Sequence, residues 1–179
     1  MYSDIVILRG LLQGPRHGYD IKKYVERVTG GLLNNNTLYP ALRKFEQRGE
    51  IRKVAEETAP GRPARTVYQI TERGRNRFRA LLEMADPLVL AKQEEFQVRV
   101  GHFDLMSPAT RMRILEVRRD HLENALAVQE ELASFSDRHP WGSRIVGFNG
   151  AQIRAELSWL DELAGPAKEA PNGSLDDNR

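Results

Sequence analysis

The sequence predicts a mainly α-helical fold with a small β-hairpin, divided between two domains. Apolar residues recur at intervals of three and four along most of the chain, the spacing of amphipathic helices. Two short β-forming segments flank a loop of Pro and Gly, which predicts a hairpin. The charge is uneven: residues 1–85 carry 16 Lys+Arg against 9 Asp+Glu, a net +7, and residues 86–179 carry 11 against 16, a net −5. We therefore predict domains at 1–85 and 86–165 and a disordered tail at 166–179, which lacks periodicity.

Composition narrows the function classes. Hydrophobic residues make up 40% and charged residues 29% of the chain, the balance of a globular protein with a core. The sequence has no cysteine, so disulfides and thiolate chemistry are excluded and a reducing cytosol fits. Neither a signal peptide nor an apolar run near the ~18 residues of a membrane span is evident. We expect a cytoplasmic protein without a membrane partner.

One stretch, residues 34–49, organises the first domain. Asn34, Asn35, Asn36 and Thr37 offer helix N-caps, because their side chains accept hydrogen bonds from free backbone N–H groups. Proline is tolerated only in a first turn, so Pro40 predicts a helix that starts near Asn36 or Thr37. The helix should end at Gly49, with one apolar face made of Leu38, Ala41, Leu42 and Phe45.

The opposite face of this helix suits a DNA major groove. Amide and guanidinium groups pair with base edges, and lysine pairs with phosphate. An ordinary solvated helix face remains the alternative for this helix taken alone. Its polar positions are Asn36, Thr37, Pro40, Arg43, Lys44 and Gln47.

The surrounding segments favour the DNA interpretation. Helices are predicted at about 3–13, 18–30 and from Thr71 to before Asp86, with strands near 51–57 and 65–70. Three helices followed by a two-stranded hairpin form a winged helix-turn-helix, in which the third helix enters the groove and the wing tip lies on the adjacent backbone. Arg62 and Arg65 around Pro63 supply a basic tip. Tryptophan is absent from residues 1–85, which disfavours membrane-surface binding.

The same stretches resemble the PadR family of bacterial transcriptional regulators. The motif TLYPAL with the HGY turn is the most specific part, and Glu50 departs from the apolar residue usual in the family. The resemblance implies a DNA-binding winged helix, an all-helical C-terminal region that forms the dimer, and in some members a response to phenolic or drug-like compounds. The matching stretches are Ile7–Leu12, Gly14–Ile21, Thr37–Leu42, Glu46–Ile51, Gly61–Tyr68 and Thr71–Gly74.

The second half predicts long helices. We expect a helix from Pro87 to about Val100, a turn at 101–106, a helix over 107–137 capped by Ser107, and a last helix from Ser143 to Gly165. The 107–137 helix would be about 40 Å long at 1.5 Å per residue. That is too long for one small domain to cover, so we expect it to form a homodimer interface through Leu122 and Leu126.

Catalytic, metal and cofactor signals are lacking. His17, His102, His121 and His139 are scattered without metal-ligand spacing, and no nucleophile elbow or phosphate loop occurs. We expect no enzyme, no metal and no cofactor. Trp141 and Trp159 are candidates for an aromatic effector site, with core packing as the alternative.

The sequence thus predicts a sequence-specific DNA-binding regulator, a ligand-responsive repressor that binds a pseudo-palindromic operator as a homodimer. The other class that fits is a winged-helix protein-interaction adaptor, although the +7 first half argues against it. Base readout is assigned to Asn35, Asn36, Thr37 and Arg43. Backbone and thymine-methyl contacts are assigned to Tyr39, Pro40 and Lys44, and wing contacts to Arg62, Pro63 and Arg65.

Overall fold

The structure is a computed structural model that describes residues 1–31, 35–57, 65–134 and 140–169. The chain divides into two compact units, the first running from Met1 to Met84 and the second starting at Ala85. Within the described residues, none of the helices combines the length and the apolar character that a membrane span requires.

The first unit is a helical core with a small sheet. Helix α1 is buried along nearly its whole length, and it packs against α2, α3, α4 and the sheet. An apolar helix in the centre of so small a unit supplies a large share of its core. The elements are α1 (Tyr2–Leu12), β1 (Arg16–His17), α2 (Gly18–Thr29), α3 (Asn35–Gln47), β2 (Ile51–Glu57), β3 (Arg65–Ile70) and α4 (Glu72–Glu83).

The sheet has three antiparallel strands in the order β1-β3-β2, one more than the predicted hairpin. Arg16 pairs with Tyr68 and His17 with Val67, so the segment predicted as a turn before α2 is a short strand. The pairing of β2 with β3 shifts between Lys53 and Ala55. The extra residue, Val54, lies on β2 and interrupts the alternation of that strand.

A tight junction ties α3, β2 and α4 together. Gly49 takes a φ of 68° after α3, a left-handed conformation that glycine adopts without strain. The Glu50 carbonyl then accepts hydrogen bonds from Thr71 N and Thr71 Oγ1, each 3.0 Å long, and Thr71 Oγ1 also caps α4 by accepting from Gly74 N at 3.2 Å. A Cβ at Gly74 would lie 2.0 Å from the Glu50 oxygen. Glycine is therefore required there.

One local prediction in this unit is wrong. Pro40 lies inside α3 rather than in its first turn, because the helix begins at Asn35. Proline cannot donate the hydrogen bond to the carbonyl four residues earlier, which destabilises a helix. Leu38 and Leu42, each 1% exposed, lie on either side of it, and their burial holds this turn against the core.

The second unit is entirely helical where the structure describes it. The predicted helix from Pro87 to Val100 is two helices, because Arg118 Nη1 donates to the carbonyls of Leu90 (2.8 Å) and Ala91 (2.6 Å) at the break. Ser107 caps the long helix as predicted, with Thr110 N donating to Ser107 Oγ at 3.2 Å. The helices are α5 (Pro87–Leu90), α6 (Gln93–Val100), α7 (Pro108–Ser134) and α8 (Pro140–Ala164), with 3₁₀ turns at Phe103–Leu105 and Pro166–Lys168.

Two boundary predictions in this unit are wrong. Helix α8 begins at Pro140 instead of Ser143, so Trp141 is helical, since proline fits a first helical position. The prediction of disorder for 166–179 is wrong for residues 166–169. Ala167 is 3% exposed, and Arg111 Nη1 donates to the Glu169 carbonyl at 3.1 Å. Residues 135–139 and 170–179 lie outside the described residues.

Candidate nucleic-acid interface

Helix α3 is anchored on one side and open on the other. Leu38, Leu42 and Phe45 are each 1% exposed and fix the helix on the core. Asn36, Tyr39, Arg43, Lys44 and Gln47 are exposed, and Thr37 and Pro40 are half-buried. A rigidly held helix with amide and cationic side chains on its outer face has the form that base reading in a major groove requires.

The cations on this face are available to a partner. Arg43 and Lys44 form no ion pair with any described residue, whereas the neighbouring Glu46 binds Lys53 on β2 at 3.2 Å. An exposed guanidinium without an ion pair can bind O6 and N7 of guanine, and such an ammonium can bind phosphate.

The start of α2 adjoins this face. A Cβ at Gly18 would lie 3.7 Å from Tyr39 Cε1 and 3.5 Å from Tyr68 Cε2, so the first turn of α2, helix α3 and strand β3 meet there. Tyr19 is 57% exposed beside this meeting point, and Lys23 Nζ lies 4.7 Å from the centre of its ring. A hydroxyl and an ammonium at this position suit a phosphate contact.

Sequence reasoning missed Tyr19 and Lys23, and it also missed a basic pocket of about 640 Å³ on α2. Arg16, Lys23 and Arg27 line this pocket with Asp20, and the Arg16 guanidinium lies 5.5 Å from the centre of the Tyr24 ring. The excess of positive charge in residues 1–85 was the available signal. Composition alone could not say where on the surface this charge lies, because that depends on how α1, β1 and α2 pack together.

The predicted DNA contacts fall partly within the described structure. Asn36, Thr37, Tyr39, Pro40, Arg43 and Lys44 share α3. Asn35 and Arg65 begin α3 and β3, but their side chains lie outside the described residues, as do Arg62 and Pro63 altogether. The assignment of the wing tip therefore stays a prediction.

The two tryptophans do not share one site. Trp159 lines a pocket of about 590 Å³ between α6, α7 and α8, and its ring meets Phe96 edge-on with centroids 5.9 Å apart. Trp141 is not among the residues that line this pocket, and it is 80% exposed near the start of α8. This pocket therefore includes Trp159 but not Trp141, and the assignment of both to an effector site stays a prediction.

The histidines show no metal arrangement in the part of the chain that the structure describes, where no three potential ligands of His, Cys, Asp or Glu type come together. His17 belongs to β1 and His121 to α7, while the Nδ1 of His102 lies 2.6 Å from the Val98 carbonyl oxygen. His139 lies outside the described residues.

A helical core, an antiparallel wing and an open third helix define the first unit as a winged-helix domain, which confirms the predicted fold class. Residues 7–80 match the model of the transcriptional regulator PadR-like family. The first unit of this chain is thus similar to the PadR-like family of transcriptional regulators, and the resemblance seen in its motifs is confirmed.

Three solved structures of similar fold share low sequence identity with this chain. The chain is similar to smu.1604c from Streptococcus mutans UA159, with 20% identity, 90% of this chain and 98% of that chain covered, and a TM-score of 0.43. Bacillus subtilis PadR in complex with operator DNA is 19% identical to this chain, with 92% of this chain and 98% of that chain covered and a TM-score of 0.42. The same protein in complex with p-coumaric acid is 18% identical, with 94% and 100% covered and a TM-score of 0.41. No curated protein matches the chain.

Proposed function

We propose that this protein is a ligand-responsive transcriptional repressor that binds a pseudo-palindromic operator as a homodimer in the cytoplasm. The observation that carries the proposal is the outer face of α3, where Arg43 and Lys44 are exposed without an ion pair among the described residues, opposite a buried apolar face. An exposed cationic and amide face on an anchored helix is what sequence-specific binding in a major groove needs.

Each part of the face takes a distinct role. Asn35, Asn36, Thr37 and Arg43 read base edges, since amide and guanidinium groups discriminate bases through paired hydrogen bonds. Tyr39, Pro40 and Lys44 contact the backbone and thymine methyl groups. Arg62, Pro63 and Arg65 hold the wing on the adjacent groove. Tyr19 and Lys23 add a backbone contact from α2, supported by their exposure beside Tyr39.

The dimer is proposed to form through α8 and the end of α7. Leu122, predicted at the interface, is 4% exposed within the protomer and is therefore a core residue. Trp141, Ile145 and Phe148 instead lie at intervals of four and three on α8 and are 80%, 60% and 59% exposed. A patch of three large apolar side chains on one helix face is typical of a protein interface.

A row of small residues lies beside this patch. Gly147, Ala151 and Ala155 are exposed at intervals of four on α8, and a Cβ at Gly147 would meet nothing within 4 Å, so another helix can approach closely. The charges nearby are self-complementary: Glu131 is exposed near the end of α7 and Arg144 near the start of α8. A two-fold interface pairs residue i of one copy with residue j of the other, so both charges are then matched.

The response to a ligand is proposed to start at the pocket of Trp159. Its volume of about 590 Å³ falls within the range of ~300–1,000 Å³ typical of ligand sites. A ligand that favours one arrangement of α7 and α8 would alter the geometry of the dimer and with it the spacing of the two α3 helices.

A mobility-shift titration against DNA from upstream of the encoding gene, at two salt concentrations, tests the proposal. A repressor binds one duplex at least about 10³-fold more tightly than a scrambled duplex, and binding weakens with salt because counterions are released. The adaptor alternative predicts the same negligible binding to both duplexes. No enzymatic step is proposed.

A further inference from the structure

The basic pocket of the first unit lies between the end of α1, strand β1 and helix α2. Its volume of about 640 Å³ falls within the range of ~300–1,000 Å³ typical of ligand sites. Three cations and one carboxylate line it, and none of the three cations forms an ion pair with a residue that the structure describes. A concave surface with an excess of positive charge matches a compact anion. The lining residues are Gln13, Arg16, Asp20, Lys23, Tyr24 and Arg27.

Arg16 is held in a fixed position at this pocket. Its Nη2 donates to Gln13 Oε1 at 2.5 Å, and its guanidinium lies 5.5 Å from the centre of the Tyr24 ring. That ring packs in turn on α1, where a Cβ at Gly10 would lie 2.8 Å from Tyr24 Cδ1. A guanidinium has five N–H donors, and Arg16 uses one of them within the described part of the chain. The others remain for a ligand, and a fixed planar fork binds phosphate oxygens through paired hydrogen bonds.

Two further cations extend the site along α2. Lys23 and Arg27 are exposed and four residues apart, so both side chains project from the same face of the helix. The acidic residue between them, Glu26, pairs with Lys22 at 3.6 Å and does not line the pocket. One ammonium and two guanidinium groups around a single cavity supply charge-assisted donors for a phosphate monoester, whose charge is about −2.

Asp20 sets a second requirement on the ligand. Its carboxylate forms no hydrogen bond or ion pair with any described residue, and it shares the lining with the cations. A carboxylate repels a bare anion, but it accepts hydrogen bonds from hydroxyl groups, as acidic residues do with the ribose of nucleotides. The ligand that satisfies the whole lining therefore carries hydroxyl groups as well as a phosphate.

We propose that this pocket binds a hydroxylated phosphate ester, the chemistry that sugar phosphates and nucleotides share. Arg16, Lys23 and Arg27 hold the phosphate, and Asp20 accepts hydrogen bonds from vicinal hydroxyl groups. Lys23 is also a proposed DNA contact, so an occupied pocket removes one cation from the operator complex and weakens operator binding. This last consequence rests on the proposed function, whereas the site itself does not.

Isothermal titration calorimetry on the full chain without DNA, at an ionic strength of about 0.15 M, tests the site. Ribose 5-phosphate should bind at least about tenfold more tightly than inorganic phosphate, which equals about 1.4 kcal/mol, and ribose alone should not bind measurably. AMP, which adds only the base, distinguishes the two sources. A further gain of about tenfold identifies a nucleotide, and equal or weaker binding identifies a sugar phosphate.

Variants separate the two parts of the site. Arg16→Gln and Arg27→Gln should each weaken ribose 5-phosphate binding by about tenfold or more, because charge-assisted hydrogen bonds are lost. Residue 27 is exposed, so Arg27→Gln keeps the test valid if Arg16→Gln does not fold. Asp20→Asn should tighten inorganic phosphate binding by removing a repulsive charge, and it should abolish the preference for the ribose ester. Arg73→Gln, a matched loss of an exposed arginine on α4, should leave both affinities unchanged.

Absence of ribose 5-phosphate binding, binding no tighter than that of inorganic phosphate, or full affinity in the arginine variants would each overturn the proposal. Loss of DNA affinity in these variants, without any binding of the ester, would overturn it as well and assign the pocket to the DNA backbone. A chain that binds ribose 5-phosphate but no DNA refutes the repressor and retains the pocket.

Discussion

Replacing Ile145 with Asp should abolish the dimer without unfolding the protomer. Burying an isoleucine side chain fully contributes about 1.5–3 kcal/mol, so covering its exposed 60% contributes about 1–2 kcal/mol in each copy. Two copies give about 2–4 kcal/mol, and an unpaired carboxylate in the interface costs several kcal/mol more. The dimer dissociation constant should therefore rise by at least about 10³-fold, at 1.4 kcal/mol for each factor of ten.

Light scattering with sedimentation equilibrium measures the assembly, and urea unfolding measures the protomer. Because residue 145 is exposed in the protomer, its own stability should change by no more than about 0.5 kcal/mol. Leu122→Ala is the control: it should leave the face intact while destabilising the core by about 2–5 kcal/mol. An Ile145→Asp chain that remains dimeric at low micromolar concentration would refute the assignment of this face. A wild-type chain that is monomeric at tens of micromolar would refute the dimer itself.

Two further substitutions test the packing that positions the sites. Gly74→Ala should destabilise the first unit by about 1–3 kcal/mol or more, since its Cβ meets the Glu50 carbonyl; an unchanged urea midpoint would contradict the tight junction. Arg118→Met should cost the second unit at least about 1–3 kcal/mol by leaving Glu156, whose side chain is 16% exposed, without its partner, and adding Glu156→Leu should recover part of that loss. A double variant no more stable than the single one would contradict the ion-pair account.

Local signals in the sequence were enough to predict most helices. Thr71 caps α4 and Ser107 caps α7, as their positions before helical segments indicated. Gly30 ends α2 with a φ of 60°. These residues act on their own turns, so their effect can be read without knowing the rest of the fold.

Features that depend on residues far away in the sequence could not be predicted from local signals. Strand β1 has two residues and exists because it pairs with β3, some 50 positions later in the chain. The sequence predicted Leu122 at a dimer interface, but helical spacing could not tell that α7 buries Leu122 within the protomer while Phe148 on α8 stays exposed. The ion pair between Arg118 on α7 and Glu156 on α8 joins residues 38 positions apart in the chain.

The candidate DNA face also combines residues that local sequence predicts with residues that only the packing reveals. The residues of α3 were placed together by helical spacing, whereas Tyr19 and Lys23 reach that face only through the packing of α2 beside Tyr39. Wing residues Arg62 and Pro63 lie outside the described residues, so their part in binding stays a prediction.

The division of labour between α3 and the wing can be tested by comparing Arg43→Ala with Arg65→Ala on two duplexes. One duplex carries an inverted repeat from upstream of the gene, with half-sites about 10 base pairs apart so that two α3 helices fit successive grooves about 34–36 Å apart. The other is its scrambled form. Arg113→Ala, an exposed arginine on α7, controls for the loss of charge.

Fluorescence anisotropy across a salt series is the measurement that tests the central claim most directly. Arg43→Ala should lose about 1–3 kcal/mol per half-site on the repeat and little on the scrambled duplex, because a base contact is lost. Arg65→Ala should weaken both duplexes alike and lower the salt slope by about one per phosphate contact, with Arg113→Ala unchanged. Equal losses for Arg43→Ala on both duplexes would contradict base reading by α3.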